Sequence, residues 1–239
     1  MAGQTLAKRV EIVAGRATPH WIELAGVALL ADPDGALFHE GERALLVADL
    51  HLEKGSAYAK RGQMLPPFDS AATLAKLAAL LMRHRPRVVI ALGDSFHDRG
   101  GFERMGEEDR DALRAAQAGR DWVWIAGNHD PETPEEAGGE RVGEMRLGPL
   151  TLRHEPGPDA RAEIAGHFHP VAKVGGTRRR CFVTDGSRLV MPAFGTYTGG
   201  LNLHDPAIAS LFSGRRIAHV LGRDRIYAIC ATRCARDRA

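Results

Sequence analysis

Five small groups of polar residues could do chemistry in this chain: Asp49-Leu50-His51, Gly93-Asp94, Gly127-Asn128-His129-Asp130, the lone His154, and Gly166-His167-Phe168-His169. Carboxylate, imidazole and carboxamide oxygen are metal-donor types. A carboxylate has two oxygens and can bridge two cations, neutral imidazole suits borderline transition metals, and an Asn carbonyl adds an oxygen without adding charge. All-oxygen magnesium or calcium sites would not use histidine, and no cysteine lies in these groups, so manganese, iron or zinc suits such donor types. Taken singly each group is a weak signal, since a carboxylate and an imidazole two residues apart arise by chance roughly once in a chain of this size. Their order, and the apolar runs in front of them, are hard to explain by packing.

Those runs are the elements that must hold the groups. Ala44 to Leu50 is a short apolar segment of the kind buried on both faces of a sheet, and His51 follows it directly. Asp69 can cap a helix whose apolar positions Ala71, Leu74, Leu77, Ala78 and Leu81 recur at helical spacing until Pro86. Val88 to Leu92 is a second buried strand, a polar helix spans Glu107 to Ala118, and Trp122 to Ala126 is a third strand. Strand and helix alternate three times, which predicts parallel pairing through right-handed crossovers, with the polar groups at the carboxyl ends where ligands bind in open α/β sheets. Trp21 to Leu30 predicts an outer hairpin. After about residue 142 the rhythm changes to short runs, Leu150 to Leu152, Glu163 to Ala165, Val171 to Val174 and Cys181 to Val183, which suggest an antiparallel second half. Arg225 to Ala231 reads as a last strand pairing with the N-terminal hairpin.

The 239 residues suffice for one domain with a large core, and no Ser-rich or Pro-rich stretch divides them, so residues 1–239 read as a single α/β domain. A formal net charge of +2 neither demands nor excludes a nucleic-acid surface. The first residues lack an apolar run behind a basic segment and no stretch approaches the roughly 18 apolar residues of a membrane span, so a cytoplasmic protein is expected. Cys181, Cys230 and Cys234 are odd in number and lack zinc-finger spacing, as in a reducing compartment.

In the order D-x-H, G-D, G-N-H-D, H and G-H-x-H, the groups resemble the signature of the calcineurin-like metallophosphoesterases, over a motif core of about 44–170. The resemblance implies a β-sandwich of mixed sheets flanked by helices, and two divalent metal ions. Carried over residue by residue, one metal would take Asp49, His51 and His169, the other Asn128, His154 and His167, with Asp94 bridging. Two metals about 3.5–4 Å apart would lower the pKa of a bridging water, make it the nucleophile, and clamp the phosphoryl oxygens. His129 lies outside the metal shell in that family and would protonate the leaving oxygen, with Asp130 or Asp98 as candidates to orient its ring. Gly93 to Gly100 also resembles the G-D-x-x-D-R-G run of the protein Ser/Thr phosphatases, with one extra residue before Asp98. Arg99 and His97 are therefore candidate substrate contacts whose roles do not transfer directly.

Leu-Val-Ala-Asp-Leu-His-Leu-Glu-Lys-Gly, Leu-Gly-Asp-Ser-Phe-His-Asp and the late Met191-Pro-Ala-Phe-Gly-Thr-Tyr-Thr-Gly-Gly resemble a bacterial subgroup, the ligase-associated DNA damage response endonucleases. That implies single-stranded DNA as substrate, manganese as the metal, and a DNA ligase and a DEXH helicase as partners. Independent signs of nucleic acid are modest: Arg178-Arg179-Arg180 in a Gly-flanked loop, Arg233, Arg236 and Arg238 in the tail, and Tyr58, Phe96, Phe194 and above all Tyr197 as stacking candidates. The alternatives are a small-molecule phosphoesterase acting on cyclic nucleotides, nucleotide pyrophosphates or lipid-linked pyrophosphates, and a non-catalytic module on the same fold. His20, His39, His84, His204 and His219 lie outside any motif and read as structural or surface histidines, and Glu132 to Glu140 as a solvated connection or a lid.

Overall fold

The structure is a computed structural model that describes residues 18–66, 68–158 and 160–237. Its first sheet runs in chain order through β1 (His20–Leu24), β2 (Val27–Ala31), β3 (Leu37–His39), β4 (Ala44–Val47), β5 (Val88–Leu92), β6 (Asp121–Ile125) and β7 (Glu140–Val142). The hairpin strands β1 to β4 pair antiparallel, and β4 to β7 pair parallel as the alternation predicts. The helices α1 (Lys54–Ala59), α2 (Asp69–His84), α3 (Gly101–Arg104) and α4 (Glu107–Gln117) fill the crossovers. A second sheet follows, built of β8 (Glu144–Leu147), β9 (Leu150–Arg153), β10 (Glu163–Ala165), β11 (Val171–Val174), β12 (Thr177–Thr184), β13 (Arg188–Val190), β14 (Ile217–Leu221) and β15 (Ile226–Cys230). Its order is β15-β14-β12-β13-β10-β9-β8, with β11 on β12, and a short α5 (Pro206–Ala209) precedes β14.

Strand periodicity explains why two sheets pack face to face. Ala44 and Leu46 of β4, with Ile90, Leu92, Val123 and Ile125, point to one side, where they meet Leu150, Leu152, Ile164, Phe182 and Leu189 of the second sheet. Leu45, Val47, Val89, Ala91 and Trp124 point to the other side, against Leu74, Leu77 and Leu81 of α2 and Leu113 of α4. A strand covered on both faces must be apolar throughout, which is what Ala44 to Val47 and Val88 to Leu92 show. No helix among the described residues is long and apolar enough to cross a membrane.

Several local expectations are corrected. Asp69 does not cap α2: Phe68 occupies the cap position with φ 73°, and Asp69, the first helical residue, instead accepts the Gly55 N–H at 3.1 Å. Ala78 is exposed, because the buried stripe turns toward Ser70, Thr73 and Leu80. The second half is mixed rather than antiparallel, since β10 runs parallel to both β9 and β13. Short apolar runs look alike in either pairing, and here the loop 154–162 returns the chain in its original direction. The last strand pairs with β14 and not with the N-terminal hairpin, because the tight turn at Gly222–Arg225 folds it back onto its sequence neighbour. Arg178, Arg179 and Arg180 lie in β12 rather than in a loop, and Arg238 lies outside the described residues. The unassigned histidines are structural: His20 meets His219 at 2.8 Å, His84 meets Asp32 at 2.8 Å, His204 donates to the Cys234 carbonyl, and His39 accepts the Glu42 N–H.

A buried ion pair fixes the loop 154–162. The Glu163 carboxylate lies 2.8 Å from Arg188 Nε across paired strands and accepts the Gly157 N–H, while the Arg188 guanidinium donates to the carbonyls of Gly157, Ala160 and Leu211. Both side chains are buried and Arg188 has no other carboxylate within ion-pair distance among the described residues, so removing Glu163 leaves the guanidinium charge without compensation. Glu163→Ala is expected to lower stability by about 3–5 kcal/mol in urea unfolding.

Candidate metal centre

Five chain segments converge at the carboxyl ends of the strands. β4 runs into Asp49 and His51, β5 into Asp94, β6 into Asn128 and His129, β9 into His154, and β10 into His167 and His169. The first two turns are zipped by backbone hydrogen bonds, with Asp49 N–H donating to Gly93, His51 N–H to Asp94, Leu52 N–H to Ser95, and His97 N–H to Leu52. Asp49, His51, Asp94, His167 and His169 all have positive φ, between 45° and 71°. Non-glycine residues in that region cost on the order of 1–3 kcal/mol each and collect at functional sites. Glycine is required where turns touch, since a Cβ on Gly93 would collide with the His154 ring and one on Gly127 with the backbone nitrogen of Asp94.

Two donor triads result, each with its ligating atoms within 4.8 Å of one another: Asp49, His51 and His169, and Asp94, His154 and His167. Asp94 lies between them. Its Oδ1 is 3.4 Å from His154 Nε2, whereas its Oδ2 is 3.9 Å from His51 Nε2. His169 Nε2 is 3.2 Å from Asp49 Oδ1 and 3.4 Å from His51 Nε2, and His167 Nδ1 is 3.2 Å from His154 Nε2. Asn128 lines the same depression as His154.

The neighbouring groups prepare these donors. His154 Nδ1–H donates to the Leu92 carbonyl at 3.0 Å, which turns Nε2 toward Asp94. The Asp49 carboxylate accepts the His167 N–H, and Asp94 Oδ1 accepts the His129 N–H at 2.9 Å. Burial, with the neighbouring His169, pushes His51 down to about 2, and its Nδ1 has no hydrogen-bond partner. Burial works against a charge on His154, but Asp94 and Asp49 outweigh it and raise the imidazole to about 9. Burial likewise works against the Asp94 charge, but His154 holds that carboxyl well below the usual range. Paired imidazole nitrogens aimed at one point, beside buried carboxylates, fit divalent cations.

His129 stands at the rim, half exposed, with Nε2 3.9 Å from Asp94 Oδ2. Its Nδ1–H donates to the His97 carbonyl at 2.8 Å, so that carbonyl orients the ring rather than Asp98 or Asp130. Asp98 is engaged by Arg104 at 2.8 Å and accepts the Gly100 N–H. Asp130 accepts the N–H groups of Ser95 and Phe96 and braces the turn after Asp94, and burial raises its carboxyl to about 7. Arg99 points into solvent. The His97 ring stacks on His129, with centroids 5.2 Å apart and planes 27° from parallel. Phe96 and Phe194 are core, whereas Tyr197 is exposed. The late motif serves the structure, because Phe194 N–H donates to Ala48 and Gly195 N–H to Asp49, bracing the first turn from the side of β13. The segment Glu132 to Glu140 is pinned, since Trp124 Nε1–H donates to Gly138 and Arg141 to Thr133, so it is no lid. Lys54, half buried just after His51, carries no signal in sequence, because a lysine beside a motif looks like any surface lysine.

A family model for calcineurin-like phosphoesterases matches residues 42–203. No curated protein matches the chain. Among solved structures it is similar to a Pseudomonas putida nuclease called MPE, with 32% identity, a TM-score of 0.71, and coverage of 89% of this chain and 100% of that one. The sandwich of mixed sheets, the two triads around Asp94 and the family match over most of the chain agree, and this chain belongs to the calcineurin-like phosphoesterases.

Proposed function

We propose that this protein is a two-metal phosphodiester hydrolase that cuts single-stranded DNA in repair, with manganese as its metal and a DNA ligase and a DEXH helicase as partners. The observation that carries the reading is Asp94, whose two oxygens face different histidine-bearing triads. In this reading Asp49, His51 and His169 hold one cation, Asn128, His154 and His167 hold the other, and Asp94 spans both. Bound there, such a pair supplies a water ionised at neutral pH and positive charge on the phosphoryl oxygens. The similarity to a nuclease supports a polynucleotide substrate.

The protein's own groups supply the rest. His129 keeps Nδ1–H on the His97 carbonyl, which leaves Nε2 toward the cleft as the atom that carries a proton to the leaving oxygen. The stacked His97 ring restricts the tilt of that imidazole. Asp130 keeps the backbone after Asp94 in place through two N–H groups, and Leu92 keeps His154 in one tautomer.

With manganese added, the wild type is expected to hydrolyse bis-p-nitrophenyl phosphate and to cleave labelled single-stranded DNA. Asp94→Asn abolishes both activities, and His129→Ala lowers both by about 10²–10⁴-fold. Cleavage of the small diester with the DNA left intact would replace the nuclease reading by the small-molecule one, and bound metal with neither cleavage would make the protein a binding module.

Cation binding must displace the proton that Asp94 and Asp49 keep on His154, whose imidazole is raised to about 9. Metal titrated into the apoprotein at pH 7 is therefore expected to release about one proton or more per protein, and affinity falls as pH falls. Calorimetry in two buffers of different ionisation enthalpy measures this, and equal heats in both would exclude it.

A further inference from the structure

The run that follows His51, Leu52-Glu53-Lys54-Gly55, contributes no ligand to the metal centre, yet it is built into the same turn. Leu52 N–H donates to Ser95 and His97 N–H to Leu52, so this segment and the His97 segment move as one. Glu53 sits in the left-handed region with φ 65°, and its buried carboxylate accepts from Ser70 Oγ at 2.8 Å and Ser56 Oγ at 2.6 Å. Arg104 Nε–H donates to Ser56 Oγ at 2.9 Å, and Gly55 N–H donates to Asp69. A Cβ on Gly55 would lie 2.6 Å from Asp69 Oδ1, so a larger residue there would displace the carboxylate that accepts the Gly55 N–H. A helix this short has no stability of its own, and these contacts hold it against the site.

The docked helix presents Lys54 and Tyr58 on one face, four residues apart. Lys54 Nζ lies 5.8 Å from the Tyr58 ring centre. The Tyr58 ring lies 5.6 Å from that of His97, which in turn is 5.2 Å from His129 and 5.5 Å from His51. Arg61 follows in the turn after the helix and is exposed. Neither Lys54 nor Arg61 forms a salt bridge among the described residues. Lys54 is half buried, and Asp69, its acidic neighbour, is already engaged by Gly55. Both positive charges reach His97 and, after its burial, help lower it to about 4. Lys54 is therefore a half-buried ammonium near imidazoles, with Asp69 in electrostatic reach but no salt bridge among the described residues.

We propose that the Lys54 face of α1 is the polynucleotide-binding wall of the site, with Lys54 on the phosphate undergoing cleavage, Tyr58 under a flanking base and Arg61 on the neighbouring phosphate. The assignment rests on the phosphodiesterase reading above and adds the residues that make the substrate a strand. A diester with one phosphate reaches Lys54 alone, whereas a strand engages Arg61 as well, which gives each residue its own signature.

The test compares bis-p-nitrophenyl phosphate with a single-stranded oligonucleotide, over a range of salt, for the wild type and for Lys54→Ala, Lys54→Arg, Arg61→Ala and Arg87→Ala. Arg87, at the opposite end of β5 from Asp94, is the control. Lys54→Ala is expected to lower kcat/KM about 10–100-fold on both substrates, with partial recovery in Lys54→Arg. Arg61→Ala raises KM for the oligonucleotide several-fold, lowers the ratio of oligonucleotide to small-diester cleavage, and reduces the salt slope by about 1. Bound metal and thermal melting are measured for each variant, and Lys54→Gln, which keeps an aliphatic stem, replaces the alanine variant if that one melts early. A wild type that cleaves neither substrate defeats the phosphodiesterase reading itself. Wild-type cleavage of both, with a Lys54→Ala variant that matches Arg87→Ala, or an Arg61→Ala variant that matches Arg87→Ala or loses activity equally on both substrates without any change in salt slope, overturns the wall alone.

Discussion

Everything in this protein depends on bringing the buried Asp94 carboxylate between two sets of histidines and keeping it charged. A carboxylate taken out of water is costly unless opposite charge or hydrogen-bond donors replace the solvent. Here the His129 N–H, the His154 ring and the His51 ring surround it. That requires four turns to approach within contact distance, so the turns carry glycine where a Cβ would collide and tolerate positive φ at five of the donor residues. The strain is held by the layers beneath: two sheets packed face to face, and helices on the outer face of the first.

The electrostatics of the metal centre follow from the same arrangement. His154 and His51 sit within 4 Å of Asp94 but are driven apart in proton affinity, one raised by two carboxylates and the other lowered by burial beside His169. Two rings of one chemical type therefore reach different states because one has negative charge on both sides. The backbone makes a further selection, since the Leu92 and His97 carbonyls fix which nitrogen of His154 and His129 faces the cleft. A short parallel sheet suits this arrangement because its strand ends present carbonyls and N–H groups in a rigid, repeating geometry.

The rim differs in character from the floor. The floor is carboxylate and imidazole, closed by backbone contacts, while the rim carries an imidazole stack, a tyrosine and cations that form no salt bridge among the described residues. A cleft with a negative floor and a positive wall suits a phosphate backbone held over bound cations. The basic cluster in β12 contributes less, because Arg178 is taken up by Asp237 and the Gly200 carbonyl, and Arg180 by the carbonyl of Ala193.

The sequence alone determined the parallel half of the fold and the candidate donors at its strand ends. Strands buried on both faces must be apolar throughout, and a chemical group at the end of each is legible as a change of residue type. The motif order, through the family resemblance, nominated Asp49, His51, Asp94, Asn128, His154, His167 and His169, and the structure brings six of them into two triads with Asn128 beside His154. Only the tertiary structure decided what lies between residues distant in the chain. Short apolar runs look alike in parallel and antiparallel pairing, so the parallel placement of β10 and the hairpin of β14 with β15 were not legible. Asp130 and Asp98 looked equally suited to orient His129, but a backbone carbonyl does so, and every residue has a backbone carbonyl, so residue type carried no signal. Lys54 became visible for the same reason in reverse: its charge is ordinary in sequence, and only its half-burial near His97 with no salt bridge among the described residues sets it apart.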